Sequence, residues 1–249
     1  MKVFITGGTT GIGLELALNY LKTGDEVGVC GRDLSKLPEG LLDQYPNLKT
    51  YKVDVTNRDE MIAAVSDFSQ GSLDLIIANA GRSVGHKTKM PNFEASRDVI
   101  ATNVFGVLNA FEAALPTMFE QGRGHIAAVS SVAGMVGLPG ASSYSASKAA
   151  VLKLCESYSL DLKRWNIDVT CICPGFIDTP LTKKNNHSMP WLMPASKGAA
   201  KIRRALDRKT ALFVFPWQMK TVMYFLDRMP RCLYRGLMGI KLFNYSKDK

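Results

Sequence analysis

Metal-binding signatures are missing from this 249-residue sequence. Its three histidines, His86, His125 and His187, have no metal-ligand spacing and no carboxylate at a fixed helical offset, so no metal is expected. The five cysteines, Cys30, Cys155, Cys171, Cys173 and Cys232, are odd in number and scattered through apolar runs. They form neither a disulfide framework nor a zinc pattern, and a reduced, cytoplasmic setting is expected. No apolar run reaches the ~18 residues of a membrane span; the most apolar window, 211–226, is interrupted by Pro216, Gln218 and Lys220. The segment Met1-Lys2-Val3-Phe4-Ile5 lacks the charged flank, long apolar core and small-residue cleavage site of a signal peptide. Solenoid-length repeats and low-complexity stretches are absent too.

Acidic residues are scarce in one place only. Residues 1–196 hold 18 basic and 19 acidic residues, whereas residues 197–249 hold 13 and 3. The formal net charge of +9 therefore belongs to the last fifth of the chain. The composition of the whole chain, 46% hydrophobic and 21% charged, is that of a folded globular protein and excludes a disordered or fibrous one. The length suffices for one large α/β domain with a full core.

Short β-rich runs alternate with amphipathic helical stretches. Residues 3–6, 26–30, 48–54, 73–78, 125–130, 167–173 and 211–215 read as strands. Residues 13–21, 34–44, 58–68, 97–119, 145–164 and 196–206 read as helices. Nearly continuous apolar strands separated by helices indicate a parallel sheet covered on both faces. One catalytic domain over 1–215 is expected, followed by a helical, basic extension over 216–249.

The first strand runs into Thr6-Gly7-Gly8-Thr9-Thr10-Gly11-Ile12-Gly13 and then a helix. Glycines here permit a tight turn and bring a pyrophosphate against N–H groups at a helix N-terminus. Asp54-Val55 ends the third strand region, Asn79-Ala80-Gly81 the fourth, and Ser131 follows the fifth. Tyr144 and Lys148 are spaced i and i+4, on one face of the helix after it. Pro174-Gly175-Phe176-Ile177-Asp178-Thr179 follows the sixth strand. Together these resemble, in order and over about residues 1–180, the short-chain dehydrogenase/reductase family, in its single-domain branch of about 250 residues.

The resemblance implies a Rossmann-type doubly wound sheet of seven parallel strands in the order 3-2-1-4-5-6-7. It implies a nicotinamide dinucleotide held by Gly7, Thr9, Thr10, Gly11, Ile12, Gly13, Asp54, Val55, Asn79, Ala80, Gly81, Tyr144, Lys148, Pro174, Gly175, Ile177 and Thr179. Asn103, Ser131, Tyr144 and Lys148 match the family's catalytic residues. Tyr144 would be the acid of carbonyl reduction and the base of alcohol oxidation. A nearby ammonium on Lys148 would bring its pKa, normally near ~10, toward neutrality. Ser131, chosen over Ser130 by its distance to Tyr144, would hold the substrate oxygen, and Asn103 would position a water. The expected activity is NAD(P)-dependent interconversion of CH–OH and carbonyl groups.

The second strand ends Val29-Cys30-Gly31-Arg32-Asp33. Gly31 stands where an NAD-preferring enzyme would offer an acid, and Arg32 can pair with a 2′-phosphate. NADP(H) is therefore favoured, with NAD(H) possible; the alternative is Arg32 as a solvated charge beside Asp33 capping the next helix. The resemblance implies that residues 180–194 form a lid over the nicotinamide. Met189, Trp191, Leu192 and Met193, together with Met135, Val136 and Leu138, are either substrate-pocket walls or ordinary packing. A hydrophobic carbonyl or alcohol substrate fits the first option.

Beyond residue 215 the chain departs from the family's pattern. Tyr224, Phe225, Tyr234, Phe243 and Tyr245 are interleaved with Lys220, Arg228, Arg231, Arg235 and Lys241. This pattern suits packing over the domain or contact with an anionic membrane surface; nucleic acid is not expected. A homodimer is expected, and the departure leaves a tetramer open. Two other roles remain, a catalytically idle NADP(H)-binding regulatory protein and a membrane-surface reductase of lipid substrates.

Overall fold

A computed structural model describes residues 1–83, 90–185 and 188–240. His86 and His187, and Lys241, Phe243 and Tyr245 of the tail, lie outside the described residues. Seven parallel strands form the main sheet: β1 (Lys2–Thr6), β2 (Glu26–Gly31), β3 (Leu48–Lys52), β4 (Leu75–Ala78), β5 (Gly124–Val129), β6 (Ile167–Pro174) and β7 (Leu212–Phe215). Their order across the sheet is β3-β2-β1-β4-β5-β6-β7, as expected. Composition follows position. In the central β4 all four residues are buried, whereas the edge strands β3 and β7 leave Lys49, Lys52 and Leu212 exposed.

Alternation along the strands feeds two cores. Phe4 and Ile76 point to the face holding Met61, Phe68, Phe111 and Met118. Their neighbours Ile5, Leu75 and Ile77 point to the other face, with Leu16, Tyr20 and Ile202. The first face carries α3 (Arg58–Ser69), α5 (Gly106–Glu120) and α6 (Ser142–Asp161); the second carries α1 (Gly11–Leu21) and α7 (Ala195–Asp207). On that second face the Arg203 guanidinium lies 3.7 Å from the Tyr20 ring centroid.

Three expectations need correction. The helix expected over 34–44 is broken into a 3₁₀ turn, Leu34–Lys36, and a short α2, Leu41–Gln44. Pro38 cannot supply a helical N–H, and Gly40 takes φ +73°. Asp54 lies beyond β3, which ends at Lys52. The long helix expected over 97–119 starts earlier, as α4 (Phe93–Ile100), where the Asn92 side chain accepts from Ala95 N. It then passes through a π turn, Ala101–Phe105, before α5. Among the described residues, one helical stretch, Phe93–Glu120, is long and apolar enough to cross a membrane. Half of its most apolar window is buried within the protein, as in a core helix.

Past β7 come α8 (Trp217–Arg228) and α9 (Arg231–Met238). Met219, Met223, Leu226 and Tyr234 form a third cluster with Val132 and Val136 of the β5–α6 connection. The Tyr234 hydroxyl donates to Gly137 O at 2.5 Å.

Candidate active site

The strand order reverses between β1 and β4, and the loops leaving their carboxyl ends diverge there into a cleft. One wall is the glycine turn. Gly7 and Gly11 adopt φ +63° and +58°, a region that an L side chain enters at a cost. A Cβ on Gly7 would come within 2.8 Å of Ala80 Cα. At the start of α1, Thr10 makes no side-chain cap and the first turn carries no acid. N–H groups and the helix dipole are thus directed at the cleft without a competing anion.

Of the twenty residues expected to act, all but Gly13 and Asn103 line this cleft. A side chain at Gly13 would collide with Gly7 O and lie 2.5 Å from Asn79 Nδ2. Gly13 therefore lets α1 pack against the turn. Asn79 is tied down by donating to Thr6 O at 3.0 Å and Gly7 O at 3.1 Å. Thr6 Oγ1 accepts from Asn79 N and Ala80 N at 3.0 and 3.1 Å, which locks β4 to the turn.

At the open end, Arg32 Nη1 lies 4.0 Å from Asp54 Oδ2, both side chains largely exposed. A Cβ on Gly31 would meet Thr9 Cγ2 at 2.9 Å, so a longer residue does not fit there without displacement. Asp33 caps the following 3₁₀ turn through Ser35 N. Partial burial raises the Asp54 pKa, but hydrogen bonds from the Thr56 N–H and hydroxyl, with Arg32 and Arg82 nearby, outweigh it. The net shift is downward, so Asp54 is ionised.

The closed end is built on α6. Tyr144 lies in its first turn and Lys148 one turn on, the ammonium 5.8 Å from the phenol ring centroid. Lys148 Nζ donates to Val129 O at 2.8 Å. Ser130 Oγ donates to Lys148 O at 2.7 Å, which assigns Ser130 to holding α6. Ser131 instead hydrogen-bonds Tyr144, and its Oγ accepts from Ala133 N at 3.1 Å. Gly134 keeps these groups in register, since a Cβ there would sit 2.7 Å from Lys148 O. Burial raises the Tyr144 pKa, and the Ser131 hydrogen bond only partly offsets it. Burial also lowers Lys148 to about 8. The expected downward shift of Tyr144 is thus not present in this structure: desolvation outweighs the one lowering influence, the Ser131 hydrogen bond.

Asn103 sits in the π turn, fully buried. Its Oδ1 accepts from Arg82 N at 2.7 Å, and its Nδ2 donates to Arg82 O and Ser147 Oγ, each at 2.9 Å. Ser147 Oγ donates in turn to Tyr144 O at 2.7 Å. A Cβ on Gly81 would lie 3.3 Å from Asn103 Oδ1 and 3.5 Å from Lys148 Nζ. Asn103 therefore stands behind the cleft wall, next to the lysine.

The fourth side of the cleft is the 174–182 segment. Thr182 Oγ1 donates to Ile177 O at 2.5 Å and accepts from Thr179 N at 3.0 Å. A Cβ on Gly11 would touch Thr179 Cγ2 at 3.2 Å, so the two walls nearly meet there. The residues expected to wall a substrate pocket divide differently. Met193 is buried, pairing in a two-residue bridge with Ile177, while Trp191 and Leu192 are exposed. Val136 packs beneath the tail helices, with Met135 and Leu138 beside it.

Arg82 and Lys36 also line the cleft but were missed in the sequence, and Thr182 joins them from the segment expected to form the lid. Arg82 directly follows Asn79-Ala80-Gly81, and Lys36 follows Arg32 by four residues; both signals were available. Among the described residues, no group of three or more His, Cys, Asp or Glu side chains could hold a metal.

The family model for short chain dehydrogenases matches residues 1–190. An uncharacterized oxidoreductase of Myxococcus xanthus is 36% identical over 236 residues, covering 92% of this chain and 93% of the relative. A putative ketoacyl reductase of Streptomyces coelicolor is 33% identical over 221 residues, covering 83% and 80%. The crystal structure of a short chain dehydrogenase from Burkholderia cenocepacia in complex with NADP superposes with a TM-score of 0.83 at 25% identity. That match covers 95% of this chain and 96% of the other, so it runs on into the segment past β7. The chain belongs to the short-chain dehydrogenase family.

Proposed function

We propose that this protein is an NADP-dependent oxidoreductase that interconverts a carbonyl and an alcohol. The observation that carries the reading is the convergence of Ser131, Tyr144 and Lys148 on the cleft that begins at the uncapped glycine turn. The NADP-bound relative from Burkholderia supports the cofactor, as does Arg32 at the open end with no carboxylate on Gly31. The cofactor fits these residues: the turn leaves N–H groups for its phosphates, and Gly7 and Gly11 bring bare backbone to the cleft wall.

When bound, the nicotinamide supplies or accepts the hydride at the substrate carbon. Ser131 and Tyr144 both hydrogen-bond the substrate oxygen, fixing the carbonyl. In reduction the Tyr144 O–H bond breaks and its proton goes to that oxygen as the carbon gains the hydride; in oxidation both move back. Burial keeps the Tyr144 phenol protonated, the form that reduction requires. Lys148 stabilises the phenolate left behind, and Asn103 and Ser147 hold the helix turn that carries both groups. Val132, next to Ser131, and Phe176, next to Gly175, belong to the apolar cluster beneath the tail. That cluster favours a substrate with an apolar body.

The test is NADPH oxidation by the full chain against a panel of aldehydes, ketones and quinones, with NADPH binding followed by fluorescence. Turnover of at least one apolar carbonyl is expected. Tight NADPH binding with no turnover anywhere in the panel overturns the enzymatic reading and leaves a nucleotide-binding protein.

A further inference from the structure

One face of the tail packs over the domain, the first of the two options its sequence left open, and the other face is uncovered. In α8, Met219, Met223 and Leu226 recur at i, i+4 and i+7 and are buried against Val132 and Val136. The opposite face therefore carries Trp217, Thr221, Tyr224, Phe225 and Arg228. It is strongly apolar and open: Trp217 is 72% exposed and Phe225 67%. Leu233 on α9 and Ile240 after it continue the exposure at 61% and 52%. Six of the seventeen large apolar side chains exposed among the described residues fall within Trp217–Ile240.

Basic groups accompany this face: Lys220, Arg228, Arg231 and Arg235 are all exposed. The Arg228 guanidinium lies 3.4 Å from the Tyr224 ring centroid, so charge and aromatic surface occur at the same level. The one acid of α8 and α9, Asp227, lies 4.0 Å from Arg228. No carboxylate among the described residues pairs with Lys220, Arg231 or Arg235.

We propose that the outward face of α8, continued by α9, docks on an anionic lipid bilayer. It would lie flat in the interface, with Trp217, Tyr224 and Phe225 among the headgroups and the four basic side chains meeting lipid phosphates. Three observations choose this occupant. Indole and phenol rings beside Arg and Lys match the two layers of a bilayer interface. The net positive charge complements anionic headgroups. A second copy brought onto the same patch about a two-fold axis would set like charges opposite one another, which opposes self-association. The docked face is the back of the cluster that holds Val132, the neighbour of Ser131. Docking thereby puts the cleft close to the membrane surface, while the proposal itself is independent of the cofactor and reaction assigned above.

The test is co-sedimentation of the full chain with vesicles of phosphatidylcholine alone or with one-third phosphatidylglycerol. Two double variants accompany it: Trp217→Ser with Phe225→Ser, and Arg228→Glu with Arg231→Glu. All four positions are exposed, so circular dichroism, melting temperature and NADPH binding should match wild type. Wild type should partition into the anionic vesicles roughly tenfold more strongly than into neutral ones, less so at high salt, and each variant should lose that partitioning. Absence of wild-type binding to anionic vesicles overturns the proposal, and so does equal binding by both variants. Sedimentation velocity without lipid covers the protein contact: a dimer that dissociates in either variant would make the face a contact between copies and overturn lipid docking.

Discussion

The two ends of the cleft are built on opposite principles. At the open end, Arg32 and Asp54 are solvent-washed side chains 4.0 Å apart, and their pairing contributes little to the fold. At the closed end, Tyr144 is flanked by the buried Ser131 and Lys148, and Lys148 is fixed to the backbone of β5. The open end can exchange side chains and alter which molecule binds. The closed end cannot change without altering chemistry, folding, or both. On the function proposed above, specificity for the cofactor is written where mutation is cheap, and reactivity where it is expensive.

The sharpest test of the closed end is Tyr144→Phe. It removes the transferable proton and keeps the ring. Turnover should fall by about 10²–10⁴-fold, with the NADPH dissociation constant unchanged in a fluorescence titration. A variant keeping more than a tenth of wild-type activity would remove Tyr144 from proton transfer.

Lys148→Met probes the cost of the buried charge. In the cofactor-free protein burial lowers the Lys148 pKa from an ordinary 10.5 to about 8. The unfolded chain therefore binds more protons than the folded one between those values, and stability from this residue rises with pH across that window. Below about pH 8 both states are protonated and the penalty is complete. The wild-type minus Lys148→Met stability difference should grow from pH 7 to pH 10, by at most about 3 kcal/mol. Urea midpoints at the two pH values measure it; a pH-independent difference would show that the ammonium is not strained.

Arg32→Asp is the smallest change and addresses the open end. It should shift preference from NADPH toward NADH by roughly 10- to 100-fold in kcat/KM, about 1–3 kcal/mol. The melting midpoint should stay put, since exposed substitutions usually fall within about 0.5 kcal/mol. An unchanged preference, or a large loss of stability, would erase the contrast between the two ends.

Most of the cleft was legible because its constraints are local. A glycine turn after an apolar strand, and a Tyr and Lys one helical turn apart, state their geometry in the sequence. The parallel order also followed from continuous apolar strands such as β4. What escaped depends on distant partners. Asn103 was recognisable as a motif residue, but its π turn was not, because its bonds run to Arg82 and Ser147. Gly13 was assigned to cofactor contact because the motif includes it, whereas its role here comes from the approach of Gly7 O. The break at Pro38 and Gly40 was visible and should have divided the second helix. In the tail, the alternation of aromatic and basic residues was plain. Which face is covered depends on Val132 and Val136, some eighty residues earlier in the chain.

The π turn at Ala101–Phe105 has a consequence for how the chain tolerates change in length. A π turn holds an extra residue relative to an α-helical one. Deleting one residue there would let the helix close as a regular α-helix with the faces of α4 and α5 still in register, because the bulge is what absorbs the extra residue. Phe111, Ala114 and Met118 would then stay in the core, while Asn103 would leave its partners. The core can therefore be built without the extra residue, whereas the hydrogen bonds from Asn103 to Arg82 and Ser147 cannot, and a one-residue deletion in this turn should lower turnover more than it lowers the melting temperature.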